Sequence, residues 1–270
     1  MNDLIFDFLL YLLQLAALTL GVVAVCGFAV RLCARAFSAL IGGGAEGVFD
    51  LTAVIGTPIH ELGHALMCPL FGHRITRMQL WSPTAKNGVY GYVEHSYNRK
   101  NPWAQLGNLF IGLGPIFSGL GVTVLVLWLC FPAQWASYLA TSRALVTAGA
   151  EPIAIARGVI SLLGDLPHAF AAGWWRPLLG LLVILPVSLH ISLSAADVRG
   201  SLGAFPIYAL MLAVFGAITY FAGVSASILS GLYLWNLWLL SLFCLVIAFA
   251  AVWVVIALAV WLIRRLVSFF

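Results

Sequence analysis

The chain falls into long apolar runs separated by short polar stretches. A helix needs about 20 predominantly apolar residues to cross a bilayer. Six runs reach that length, at roughly 4–30, 48–71, 104–131, 177–199, 204–223 and 231–263. The first is stopped by Arg31 and Arg35 and followed by the glycine-rich turn "IGGGAEG". The last is longer than a span requires, which implies a tilted helix.

Two segments break the pattern. Residues 72–103 carry Arg74, Arg77, Lys86, Glu94, Arg99 and Lys100. Within them "ITRMQLW" and "VYGYVEHSY" are rich in β-branched and aromatic residues, and Asn87-Gly88 lies between, so a β-hairpin is predicted. Residues 132–176 are mixed in character, and "EPIAIARGVISLLGDLPHAF" predicts an interfacial helix. The expected fold is an all-α polytopic membrane protein of about six transmembrane helices, with one small β-hairpin segment. It divides into a first helix and glycine-rich turn (1–47), a core (48–203) and C-terminal helices (204–270).

Composition agrees. Only 8% of the residues are charged and 63% are hydrophobic, against about 25% charged in a soluble domain. That leaves too little polar surface to cover a soluble particle. The formal net charge is +4, with no Lys/Arg cluster interleaved with aromatics, which sets nucleic-acid binding aside. The five cysteines are scattered and form no C-x-x-C pair, so they read as packing residues. The N-terminal "MNDLIFDF" has acids where a signal peptide has bases, and reads as the start of a retained membrane helix.

The basic residues orient the chain. With the N-terminus cytoplasmic, the inside segments hold Arg74, Arg77, Lys86, Arg99, Lys100, Arg199, Arg264 and Arg265. The outside holds Arg31, Arg35, Arg143, Arg157 and Arg176. This bias puts both termini in the cytoplasm, in a plasma (inner) membrane. It also brings the C-terminal ends of the second and fourth helices to the same face.

Inside the second run lies "TPIHELGHAL", residues 57–66. Ionisable groups at membrane depth are costly and are functional candidates. His60 and His64 are four apart, so on a helix they share a face and can grip one metal, usually zinc. Glu61 is rotated about 100° from His60. It is poorly placed as a ligand but can reach a water at the metal, as the general base of an H-E-x-x-H site.

A catalytic zinc takes three protein ligands and keeps one position open. Asp197 lies near the end of the fourth run, on the same face as the end of the second. His190 is its rival, seven residues earlier and about 10 Å away along a straight helix. His73, His95 and His168 are expected to be solvated or interfacial. Pro58 interrupts the helix beside the motif, where water must enter, and Thr57, Gln105, Asn108 and Ser118 are polar positions that can line the entry. Gly114-x-x-x-Ser118 allows close helix approach.

A H-E-L-G-H motif within a spanning helix resembles the site-2 protease family of intramembrane zinc metalloproteases. "GLGPIFSG" (Gly112–Gly119) resembles that family's Gly-Pro element, and the hairpin at about 75–97 its β-structured segment. "LSAADVRGSLG" occupies the place of the aspartate motif. The resemblance, over residues 48–205, implies zinc held by His60, His64 and Asp197, with Glu61 as base. It also implies a transmembrane protein or peptide as substrate, in a setting of membrane lipid. The chain departs from the pattern in three ways. No Asn-x-x-Pro precedes Asp197, Val198-Arg199-Gly200 follow it, and Ile116-Phe117-Ser118 follow Pro115 where an asparagine is usual. There is no room for a PDZ-like domain.

Two other functions fit parts of this pattern. A non-catalytic membrane protein with a structural zinc site that binds partner helices would keep the ligands and dispense with Glu61. A metal transporter would need paired acids and histidines through several helices and an inverted repeat of broken helices, and neither is evident. Oligomeric state has no signature in the sequence.

Overall fold

Apolar runs of this length fold as helices because every backbone polar group is satisfied within the segment. The computed structural model describes residues 2–83, 89–148 and 152–267 and is mostly helical. Helical backbone runs from Asp3 to Leu70. It comprises α1 (Asn2–Ala16), a π turn (Ala17–Gly21), α2 (Val22–Ile41), a 3₁₀ turn (Gly42–Gly44) and α3 (Ala45–Leu70). Gly42, at φ +67°, ends α2 in a conformation that side chains resist.

After α3 the chain enters β1 (Arg74–Gln79), which pairs antiparallel with β2 (Tyr92–Ser96). This is the hairpin expected within 72–103. Lys86 and the Asn87-Gly88 turn lie outside the described residues. α4 (Pro102–Cys130) starts at Asn101, whose side chain accepts from Trp103 N at 3.0 Å. α5 (Pro132–Thr147), α6 (Pro152–Ala172), α7 (Trp175–His190), α8 (Ala195–Leu202), α9 (Phe205–Phe221) and α10 (Ser225–Val267) complete the order.

The six-span reading is revised. Among the described residues four helical runs are long and apolar enough to cross a membrane: Asp3–Leu70, Pro102–Cys130, Ile153–Ala172 and Ser225–Val267. The α7–α8 pair, bent by 55°, makes five if it counts as one span. Runs 4–30 and 48–71 lie on either side of the turn at Gly42, across which Phe37 and Phe49 meet with ring centroids 5.9 Å apart, and run 177–199 is broken. α9, with 17 residues, is at the lower limit of spanning length and is not among the four. Within the 132–176 segment a helix forms at "EPIAIARGVISLLGDLPHAF" as expected, as α6, but with the length and hydropathy of a span rather than of an interfacial helix, and α5 precedes it. Outward-facing residues such as Leu51 (76% exposed) and Phe221 (72%) are apolar. Long apolar helices with apolar outer faces mark a membrane protein.

Two contacts fix the middle of the bundle. α3 and α4 meet backbone to backbone at Gly63 and Gly114, where a Cβ on either would overlap the other's carbonyl. Ser118 Oγ, one turn along, donates to Ile59 O at 2.7 Å. α7 packs on the other side of α3, with the His190 ring laid over Gly56. Buried apolar clusters around Phe131, Ile184 and Phe249, and around Val30, Ile116 and Phe243, brace these helices against α2, α5, α6 and α10.

Candidate metal centre

α3 carries His60 and Glu61 side by side and His64 one turn on, with Glu61 and His64 buried. His60 Nδ1 lies 2.7 Å from His190 O. His64 Nδ1 lies 2.7 Å from Ile111 O. A carbonyl oxygen only accepts, so both rings carry their hydrogen on Nδ1 and, when neutral, a lone pair on Nε2.

Both accepting carbonyls are made available by interruptions of helices. In α4 the Ile111 oxygen would bond the N–H four residues on, but that residue is Pro115, which has none. In α7, His190 is the last residue, and the last four carbonyls of a helix lack intrahelical partners. The Gly-Pro element and the end of α7 therefore each orient one histidine, as second-sphere carbonyls do at metal sites.

Asp197 reaches the same point from α8. Ser194 caps that helix: its Oγ accepts from Asp197 N at 3.1 Å, and Asp197 Oδ2 accepts from Ser194 N at 2.7 Å. This capping box sets the carboxylate's direction. His64 Nε2 stands 3.2 Å from Asp197 Oδ1, and His60 Nε2 stands 3.6 Å from Asp197 Oδ2. The three ligand atoms all lie within 4.8 Å of one another, and the group can hold a metal ion. Tetrahedral zinc with bonds near 2.0 Å sets its donors about 3.3 Å apart. The two histidine–carboxylate distances, 3.2 and 3.6 Å, are close to that spacing.

The arrangement has a second physical consequence. Two lone-pair nitrogens face a carboxylate that also only accepts. Three acceptors at this range repel one another unless a metal ion joins them or a proton on one imidazole Nε2 turns that nitrogen into a donor to Asp197.

His190 does not join the group. Its Nε2 is 3.0 Å from Thr52 Oγ1, and its ring sits edge-on to Phe49. The straight-helix comparison of His190 with Asp197 fails because the chain bends between them. His190 still serves the site, through its carbonyl.

A cavity of about 680 Å³ opens beside the three ligands and is also lined by Glu61. Thr57 and Asn108 line it as expected. Gln105 does not, since its Nε2 donates to Arg99 O at 2.6 Å, and Ser118 is committed to α3. One wall is the segment Val89–Val93 leading into β2. There Gly91 touches the site: a Cβ on it would come within 2.8 Å of Glu61 Cγ. Tyr90 OH donates to Asp50 Oδ1 at 2.6 Å and ties this wall to the start of α3. Burial, then the Asp50 carboxylate, push the Tyr90 hydroxyl up to about 12.

Three histidines were expected to be solvated or interfacial. His168 is exposed, beside Asp165. His73 is buried and His95 lines the cavity. Both follow from the hairpin folding back onto α3 and α4, which the local sequence does not announce. Comparison of the chain with protein-family models, curated proteins and solved structures returns no match.

Proposed function

We propose that the chain is an intramembrane zinc metalloprotease of the site-2 protease type, hydrolysing peptide bonds within or near transmembrane segments of membrane proteins. The observation that carries this reading is the set of three mutually facing acceptors, His60 Nε2, His64 Nε2 and Asp197, beside a cavity that Glu61 also lines. A metal ion would join the three acceptors, and an acid that is not a ligand stands ready as a base.

Zinc bound by His60, His64 and Asp197 supplies Lewis acidity, bringing the pKa of a water towards about 7 and polarising a carbonyl. Glu61 takes the proton as the water oxygen attacks the peptide carbonyl carbon. It then returns that proton to the amine nitrogen as the C–N bond breaks. The His190 and Ile111 carbonyls hold the ligand rings in one tautomer, and Ser194 holds Asp197. The substrate must be locally unwound, because helical carbonyls are hydrogen-bonded and shielded. The wall Val89–Val93 offers an edge to which an extended segment can pair by strand addition. Charge or proline insertions there are expected to abolish cleavage while the fold survives. In this reading the protein lies in the plasma (inner) membrane.

The test is paired. Wild type and Glu61→Gln are purified in detergent, bound zinc per chain is measured, and both are assayed on transmembrane peptides. Both are expected to bind about one zinc, and only the wild type to cleave. Zinc in both without cleavage by either favours a structural site that binds partner helices. Absence of zinc ends the reading.

A further inference from the structure

His73 and His95 lie outside the chemistry described so far, yet the fold connects them to its cavity. His73 follows Gly72, whose φ of +71° turns the chain out of α3. Its ring stacks on Tyr97, with centroids 4.5 Å apart and planes 17° from parallel. His73 Nε2 lies 2.7 Å from Ala104 O. The approach passes over Gly107, where a Cβ would come within 2.9 Å of that nitrogen.

This geometry dictates the hydrogens. The Ala104 carbonyl accepts, so His73 Nε2 donates, and in the neutral ring Nδ1 is left as an acceptor. His95 Nδ1 is 2.9 Å from it and must donate. His95 Nε2 therefore bears a lone pair, on a side chain that lines the same cavity as His60, Glu61, His64 and Asp197. Burial first, and His73 next, hold His95 below its ordinary pKa, so the ring is neutral near pH 7.

Gly91, Val93 and His95 alternate along one strand and so share a face. Gly91 rests against Glu61, and His95 lies four residues further, about 13 Å along an extended chain. Among the backbone groups of a peptide in the cavity, only an N–H can donate to a lone-pair nitrogen. We infer that His95 Nε2 accepts a hydrogen bond from a backbone N–H of the bound peptide, a few residues from the scissile bond, and that His73 is the positioning residue that keeps this nitrogen unprotonated. The inference rests on the protease reading. It assigns His95 to substrate register, so its loss weakens binding and spares the chemical step.

The probe is a ten-residue apolar peptidyl hydroxamate, with a series in which each backbone N–H in turn is replaced by an ester oxygen. Binding is measured to the zinc-loaded full chain in detergent, as wild type, His95→Phe and His95→Gln. One ester position is expected to weaken wild-type binding roughly tenfold, the effect of one lost hydrogen bond. His95→Phe is expected to bind the parent probe roughly tenfold more weakly and to show no further loss at that position. His95→Gln, whose amide oxygen can accept, recovers part of the affinity, which separates this role from a folding defect. Equal binding by wild type and His95→Phe, or an unchanged ester penalty in the variant, overturns the inference and leaves the protease reading standing. A wild type that binds zinc but not the hydroxamate overturns both.

Discussion

The helix α10 and the pair α7–α8 both pass for membrane-crossing sequence and do opposite things. α10 runs 43 residues without a proline, at a mean hydropathy of 3.0 in its most apolar window. Of its buried polar side chains, Ser241 Oγ donates to Trp238 O and Asn236 Nδ2 to Leu232 O and Leu18 O, while Asn236 Oδ1 has no hydrogen-bond partner among the described residues. α7–α8 breaks after His190, bends by 55° and restarts at Ser194. The break leaves a carbonyl to orient His60 and turns a carboxylate onto both histidines. Irregular backbone at membrane depth is tolerated where it lines a cavity, and Ser192 and Ser194 do so here. The chemistry sits where the helical ladder is interrupted, and uninterrupted helix supplies the frame.

That contrast can be broken by removing what the interruptions provide. The largest effect is expected from the ligands themselves. His64→Ala or Asp197→Ala should lower zinc affinity by more than about a hundredfold, beyond what loss of a second-sphere partner costs; competition with a chelating dye reads this out. Next is Pro115→Ala. It restores an N–H that competes with His64 for the Ile111 carbonyl. Zinc affinity is expected to fall about tenfold while thermal stability holds or rises, a pairing that general damage to the fold would not produce.

A smaller effect is expected at the cap. Ser194→Ala removes the bond that starts α8, at about 1 kcal/mol. Zinc affinity should fall only a few-fold, because Asp197 Oδ2 keeps its bond from the Ser194 backbone. The smallest belongs to α10. Asn236→Leu should shift the melting temperature and leave the zinc titration unchanged. A zinc response at Asn236 as large as that at Pro115 would erase the distinction between frame and site.

How much of this was legible in the sequence differs from residue to residue. His60, Glu61 and His64 could be read directly, because i,i+4 spacing on a helix is local geometry. Asp197 could be reached through a resemblance and a shared membrane face. The local signal that favours it over His190 is Ser194-Ala-Ala-Asp197, a capping box and so the signature of a helix start inside what hydropathy treats as one span. Hydropathy averages over about 20 residues and cannot see a four-residue break. Pro115 was read as part of a motif, and its effect on the Ile111 carbonyl needs only the rule that proline frees the oxygen four residues back. Which donor takes that oxygen depends on the α3–α4 crossing at Gly63 and Gly114, and no local pattern gives it. The His73–His95 pair was missed for the same reason, since it forms only when β2 folds back over α4.

The most direct test of the centre is X-ray absorption at the zinc edge on the metal-loaded full chain. Two imidazole nitrogens and two oxygens at about 2.0–2.1 Å in a four-coordinate shell are expected, with one imidazole lost in His64→Ala. A sulfur-containing shell, a six-coordinate oxygen shell, or a spectrum unchanged by His64→Ala would contradict a zinc centre built from His60, His64 and Asp197.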